Sequence, residues 1–307
     1  MDNKPKVVVI AGPTASGKTE LAIELALNFN AEIINADSMQ VYREMDIGTA
    51  KPTPEQRRNV PHHLIDVVYP DQEFNAARYR EMALSLIHDI NARGKNCLVV
   101  GGTGLYIKAL LGGLFYVPPK DPELRGLLKR EAEEKGLRCL YERLARYDPE
   151  YAVMIHPNDR IRIIRALEIY YLANKRPSEL MREHGFNQCP VKALKIFLYI
   201  DRQELYDRIN KRCIRMIESG LIEETKRLLI KGYSPELKPM QSIGYRHAVR
   251  YIKGEWRLER ALELMQRDTR RYAKRQFTWF KKEPDMIWIS HKSKDLTEKK
   301  VFDFLDK

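Results

Sequence analysis

One segment constrains this chain more than any other. Gly12-Pro13-Thr14-Ala15-Ser16-Gly17-Lys18-Thr19 fits G-x-x-x-x-G-K-[ST], directly behind the apolar run Lys6 to Ala11 and ahead of leucines and alanines at helical spacing from Lys18 to Phe29. Strand, glycine-rich turn and helix in that order make a phosphate-binding loop, or P-loop. Its glycines let successive backbone N–H groups face one centre, the helix N-terminus adds its positive end, Lys18 neutralises charge, and Thr19 offers a hydroxyl to Mg2+. Gly12, Thr14, Ala15, Ser16, Gly17, Lys18 and Thr19 are the expected cradle, and Mg2+ is the expected cofactor with Thr19 as its protein ligand. The motif does not say whose phosphate is held.

The pattern around the loop repeats. Ala31 to Asp37 reads as a second strand, residues 74–93 as a helix and Asn96 to Val100 as a third, buried strand. Such alternation predicts an α/β fold, a doubly wound parallel sheet with its site at the carboxyl ends of the strands. From about Pro118 the character changes to charged helical segments, opened by Asp121-Pro122-Glu123, with no strand-like run until Ala193. The expected division is therefore a P-loop core of residues 1–116 and 194–290, an inserted and mainly helical domain over 117–193, and a tail over 291–307 carrying a short docked helix. Leu194 to Ile200 resumes a strand, and Asp201 with Glu204 starts a helix that runs to about Ser219.

Charge is unevenly placed. The chain carries a formal +12, yet residues 195–285 alone hold nine more Lys and Arg than Asp and Glu, while residues 1–115 are close to neutral. A domain-sized basic stretch is the electrostatic footprint of a polyanion partner. No apolar run approaches the roughly 20 residues of a membrane span, and the N-terminus leads at once into a strand without a leader segment, so a cytoplasmic protein with no membrane role is expected. Cys97, Cys139, Cys189 and Cys213 form no C-x-x-C pair, which predicts reduced thiols, and the adjacent His62 and His63 do not suit a shared metal.

Several other segments carry chemistry. Asp37, in Asp37-Ser38-Met39-Gln40-Val41-Tyr42, falls where a strand-end carboxylate can face the phosphate site as a general base, or can cap a following helix. Thr103, in Gly101-Gly102-Thr103-Gly104, is placed to hydrogen-bond a bridging phosphate oxygen. Arg208, Arg212 and Arg215 share one helix face, suited to clamping a leaving phosphate or to a solvated stripe in which Glu204 pairs with Arg208. Gln241 to Arg246 and Arg270 to Lys282 interleave cations with aromatics, as unpaired RNA bases and their phosphates require; the second stretch equally suits a basic amphipathic helix packing Phe277 and Phe280. The chain is poor in the apolar strand ending in Asp or Asp-Glu that nucleotide-driven ATPases use to hold magnesium: its best buried strand runs into Gly101-Gly102-Thr103-Gly104, and Leu64-Ile65-Asp66 is short and follows two histidines. That favours group transfer over hydrolysis-driven motion. A P-loop nucleoside or nucleotide kinase is the alternative, although it has no need of the basic, aromatic-rich segment.

Together the segments GPTASGKT (12–19), DSMQVY (37–42), GGTGLY (101–106), RIRIIRALEIY (160–170), QSIGYR (241–246) and KRQFTWF (274–280) resemble the tRNA dimethylallyltransferases, also called tRNA isopentenyltransferases, along nearly the whole chain. The resemblance implies transfer of the dimethylallyl group of dimethylallyl diphosphate to N6 of the adenosine 3′ of the anticodon, in tRNAs that read codons beginning with U, releasing diphosphate. It makes the inserted helical domain a tRNA-binding one and the P-loop a prenyl diphosphate site rather than an ATP site. By motif match, Thr14 and Ser16 to Thr19 would cradle the diphosphate, Asp37 would be the general base, Thr103 would touch the bridging oxygen and Arg212 would clamp the leaving group, with Arg208 and Arg215 on the same face. The tRNA contacts implied are Asp37, Ser38, Met39 and Gln40; Arg162 and Arg165; Gln241, Gly244, Tyr245 and Arg246; and Lys274, Arg275, Gln276, Thr278, Trp279 and Lys281. A monomer is expected.

Overall fold

The computed structural model describes residues 4–186 and 188–306, and the chain divides into two compact units, Met1–Leu111 with Cys189–Lys307, and Gly112–Gln188. The first unit opens with β1 (Lys6–Ala11), α1 (Lys18–Asn28), β2 (Ala31–Asn35), α2 (Pro54–Asn59), β3 (His62–His63), α3 (Ala76–Ala92), β4 (Asn96–Gly101) and α4 (Gly104–Gly112). The second unit holds α5 (Pro122–Glu134), α6 (Leu137–Tyr147), α7 (Pro149–Val153), α8 (Arg160–Ala173) and α9 (Pro177–His184). The chain returns to the first unit with β5 (Lys192–Tyr199), α10 (Arg202–Glu218), α11 (Leu221–Ile230), α12 (Tyr245–Ile252), α13 (Leu258–Phe280), β6 (Ile287–Ser290) and α14 (Lys294–Leu305).

The sheet runs β3-β2-β4-β1-β5-β6 with every pairing parallel, as expected of a doubly wound core. A parallel strand covered on both faces needs apolar residues at every position, and β1 supplies them. Its Val7, Val9 and Ala11 enter one core with α3, α4 and the helices from α10 to α13, while Val8 and Ile10 enter the other with Leu21 and Leu25 of α1. The P-loop emerges where β1 ends, between its neighbours β4 and β5.

The C-terminal segment is more integrated than its polar sequence suggests. β6, which the sequence reading did not anticipate, extends the sheet beside β5, and α14 docks through buried Val301 while Lys6 Nζ donates to the Leu305 carbonyl at 2.8 Å. The helical unit starts and stops about five residues before the bounds expected from sequence, because α4 ends at Gly112 and β5 is already paired with β1 at Lys192. Inside that unit the fully buried Glu168 accepts from the Asp121 N–H at 2.9 Å and from Arg165 at 2.7 Å, and also pairs with Arg125. A buried carboxylate persists only when so compensated.

Among the described residues no helix is long and apolar enough to cross a membrane. All four cysteines are free. The adjacent histidine rings engage different groups, His62 Nδ1 the Val60 carbonyl and His63 Nε2 the Glu32 carboxylate, each at 2.7 Å.

Candidate active site

The loop after β1 turns tightly: Ala15 and Gly17 adopt φ of 66° and 87°, left-handed values that swing successive N–H groups to one side at the start of α1. Lys18 folds back along it, donating to the Pro13 carbonyl at 2.6 Å. Burial, with the nearby Arg212 guanidinium, pushes the Lys18 ammonium down to about 7. Both cations border a cavity of about 690 Å3 that residues 14–20 share with Asp37, Arg208, Arg215 and Tyr272. Two cations held against burial in one recess, the Lys18 ammonium further depressed by Arg212, make a site suited to an anion.

Asp37 arrives from the carboxyl end of β2. Asn35 fixes its backbone from both sides, its Oδ1 accepting from the Asp37 N–H at 3.1 Å and its Nδ2 donating to the Asp37 carbonyl at 3.2 Å. The following residues are a turn, not a helix, so the capping alternative fails in its original form: Asp37 Oδ1 accepts from the Met39 N–H at 2.8 Å within that turn. Thr103 is tied to the same segment, its Oγ1 accepting from the Ser38 N–H at 3.0 Å and its own N–H donating to the Ala36 carbonyl at 3.1 Å. The DSMQ and GGTG segments, remote in sequence, are one structural piece.

The arginines divide their duties. Arg208 pairs with Glu204 at 2.7 Å and His291 Nε2 at 3.0 Å, yet still lies over the loop, since a Cβ on Gly17 would sit 3.9 Å from its Nη1. Arg212 is half-buried in the cavity, its pKa lowered by burial and partly restored by Asp37. Arg215 lines the cavity from a more exposed position. All three arginines border the cavity; the expected Glu204–Arg208 pair is present and Arg215 is exposed, so the solvated-stripe alternative fails for Arg212 only.

The glycines of GGTG serve a purpose that sequence did not reveal. A Cβ on Gly102 would lie 2.0 Å from Gln276 Nε2, and one on Gly104 would lie 2.1 Å from Trp279 Nε1. Two side chains one turn apart on α13 thus occupy the space those glycines leave. Gln276 is the first correction to the expected RNA contacts. It is buried, accepts from the Thr14 N–H at 2.9 Å and donates to the Gly102 carbonyl at 3.0 Å, so its amide is consumed bracing the P-loop.

Other expected RNA contacts are also internal. Tyr245 is fully buried and donates to Glu224 at 2.5 Å, while Gly244 is a buried helix cap whose N–H meets His247 Nδ1 at 3.3 Å. Glu224 in turn accepts from the N–H groups of Asp46 and Ile47 at 3.1 and 3.0 Å, so this part of QSIGYR anchors the loop after DSMQVY instead of reaching solvent. Arg165 is spent on Glu168 and the Pro118 carbonyl. Met39 is half-buried against the core, and the Gln40 amide donates to the Thr49 and Ala50 carbonyls at 3.1 Å each. Tyr245 and Gln40 meet partners on other segments, Gly244 meets a ring three residues on, Arg165 meets a carboxylate three residues along its own helix, and Met39 packs by apolar contact.

What stays outward is Lys274, Arg275, Thr278 and Lys281 on α13, Arg162 on α8, Gln241, whose amide donates to the Pro235 carbonyl at 2.7 Å, and part of Arg246 and Trp279. Phe277 and Phe280 of the same helix pack against Phe197, so α13 is at once a core helix and a basic surface. Residues the sequence reading missed include Tyr272, whose hydroxyl bonds Thr103 and is pushed upward by burial, as well as Asn35 and Glu224. Tyr272 stands one turn before Gln276, a spacing that could have flagged it.

No cluster of three metal-binding side chains occurs among the described residues. Mg2+ does not need one, since it is commonly held by one or two protein oxygens, substrate phosphates and water. The Thr19 hydroxyl, with Asp37 bordering the same cavity, fits that kind of hard-oxygen site.

Residues 40–283 match the family model described as IPP transferase. The chain is 53% identical over 290 residues to tRNA dimethylallyltransferase 2 of Geotalea uraniireducens, covering 94% of each, and 51% identical to the tRNA dimethylallyltransferase of Geobacter sulfurreducens, covering 94% of this chain and 93% of that one. Among solved structures, the full-length tRNA isopentenylpyrophosphate transferase of Bacillus halodurans aligns over 99% of this chain and 97% of its own, with 39% identity and a TM-score of 0.74. A eukaryotic dimethylallyltransferase acting on tRNA aligns over 94% of this chain and 74% of its own, with 34% identity and a TM-score of 0.80.

Proposed function

The chain belongs to the IPP transferase family, and from that membership and the geometry of its cavity we propose that it transfers the dimethylallyl group of dimethylallyl diphosphate to N6 of the adenosine 3′ of the anticodon, in tRNAs reading U-initial codons. The observation that carries the assignment is the meeting of Lys18, Arg212 and Asp37 at one cavity, two cations for a departing diphosphate and a carboxylate for a proton.

An exocyclic adenine amine is a weak nucleophile, so the transition state needs its leaving group stabilised. Backbone N–H groups of the P-loop and Lys18 hold the diphosphate, with Arg212 beside them and Arg208 at the outer rim. The allylic C–O bond breaks with its electron pair leaving on the diphosphate. The N6 lone pair closes the new C–N bond, and Asp37 takes the N6 proton. Thr103, whose Oγ1 accepts from the Ser38 N–H and donates to Ser38 Oγ at 3.3 Å, would have to turn its hydroxyl toward the cavity to donate to the bridging oxygen. Thr19 would ligate Mg2+, which adds positive charge at the leaving group when bound. To reach a recessed site the adenine must leave its stack. The basic outer face of α13 supplies phosphate contacts that hold the RNA while it does so. The catalyst is proposed to act as a monomer in the cytoplasm, where tRNA is available.

The test is incubation with unmodified tRNA and radiolabelled dimethylallyl diphosphate, without ATP, followed by digestion to nucleosides. Label in N6-dimethylallyladenosine is the expected product. Obligatory ATP consumption, or label transfer to a small acceptor without RNA, would instead indicate the kinase class.

A further inference from the structure

The outward face of α13 does not end at Lys274. Arg267, Arg271, Lys274, Thr278 and Lys281 recur at four- and three-residue steps and so share one face, opposite the buried Met265, Gln276 and Phe280. At 1.5 Å per residue that row is about 21 Å long. At its N-terminal end stands Asp268, whose side chain is only 14% exposed. Its carboxylate accepts from Arg246 of α12 at 2.5 Å and from Arg267 at 3.0 Å, and lies 3.8 Å from Arg271. His247 completes the set: its Nδ1 accepts from the Gly244 N–H, so Nε2 carries the hydrogen that faces Asp268 at 3.3 Å.

We propose that Asp268 is a positioning residue for tRNA binding, holding Arg246, Arg267 and Arg271 as a phosphate-binding extension of the α13 surface. The inference rests on tRNA being the substrate. Its support is the imbalance of the cluster: one mostly buried carboxylate faces three guanidiniums whose side chains remain 39%, 43% and 64% exposed, leaving a net positive charge. One charged partner is enough to compensate a mostly buried carboxylate, so fold stability does not require three arginines here. Without the carboxylate, the guanidiniums would repel one another and disperse. With it, each is fixed while keeping further N–H donors for an outside acceptor. Planar forked donors in a row continuous with Lys274 and Lys281 match the phosphodiester backbone of RNA.

This leads to an outcome opposite to that of simple charge counting. Asp268→Asn removes a negative charge from a basic face, which by itself should tighten RNA binding. Filter binding without prenyl donor should instead show tRNA affinity weakened about 5–10-fold, with the KM for dimethylallyl diphosphate and the kcat at saturating tRNA unchanged. Arg271→Ala, at the most exposed position, should weaken tRNA binding about 3–10-fold, lower the log–log salt slope by about 0.7–0.9 and leave Tm unchanged. Rescue of tRNA affinity in Arg271→Lys to an intermediate value is also expected, because a lysine keeps the charge but not the fork. Tighter or unaltered binding in Asp268→Asn, or an unmoved salt slope in Arg271→Ala, overturns the proposal even if Asp268→Asn lowers Tm. Wild-type transfer of labelled dimethylallyl to tRNA, run alongside, tests the substrate assignment separately.

Discussion

Gln276, near the end of α13, accepts a hydrogen bond from the backbone N–H of Thr14 at 2.9 Å, joining the helix with the basic surface to the P-loop. Only a side chain offering both an acceptor and a donor can satisfy the Thr14 N–H and the Gly102 carbonyl together. Gln276→Leu leaves both groups buried and unpaired. A stability loss on the order of 2 kcal/mol is expected in denaturant unfolding, with a raised KM for dimethylallyl diphosphate and unchanged tRNA affinity. Weakened tRNA binding alone would restore Gln276 to the RNA interface.

Gly104 should be intolerant of a methyl group for a reason unrelated to phosphate. Its Cβ would meet the rigid indole of Trp279 at 2.1 Å. Gly104→Ala should destabilise the protein by about 1–3 kcal/mol through overpacking, and Gly104→Ala with Trp279→Phe should recover part of that loss. Thermal unfolding of the two variants measures both.

Asp37→Asn keeps the oxygen that accepts from the Met39 N–H at 2.8 Å, so the turn should survive. With the proton acceptor gone, single-turnover transfer should slow by roughly 10²–10⁴, while tRNA and prenyl diphosphate bind as in wild type. A variant that turns over at full rate would remove Asp37 from the chemistry.

The buried Lys18 gives a pH signature. Its ammonium is pushed down to about 7, chiefly by burial and then by Arg212, so above that pH the free enzyme holds a neutral amine. An incoming diphosphate favours the charged form, and binding must then take up a proton. Affinity should therefore be full below pH 7 and fall by up to about tenfold per unit above it. Lys18→Ala should bind more weakly, without that component of the pH dependence. Calorimetry in buffers of different ionisation heat would report the proton uptake.

Neutralising Lys274, Arg275 and Lys281 together removes up to three exposed cations while leaving the P-loop untouched. The log–log salt slope for tRNA binding should lose roughly 0.7–0.9 per contact, with diphosphate binding to the free enzyme unaffected. An unchanged slope would move the RNA surface elsewhere.

The sequence by itself determined the parts of this protein that local rules govern. The P-loop, its preceding strand and following helix, the parallel sheet and the helical insertion follow from periodicity and from a motif whose function lies largely in its own backbone. The charge of residues 195–285 pointed to a polyanion before any coordinates. Tertiary structure alone decided which polar side chains face outward. Gln276, Tyr245 and Arg165 look like RNA ligands in the sequence because amides, phenols and guanidiniums recognise nucleic acid and also satisfy buried groups. Thr14 and Glu224, the partners of Gln276 and Tyr245, lie on other elements, 262 and 21 residues away, whereas Glu168 is three residues from Arg165 on α8 and is distinguished only by its complete burial. The same holds for Gly102 and Gly104, whose side-chain space Gln276 and Trp279 of α13 fill, and for Asp268, an acidic residue in a basic helix that Arg246 of α12 joins to its own-helix partners Arg267 and Arg271. Each hydrogen bond is short-ranged in space but unlimited in sequence separation, so such partners become known only once the chain has folded.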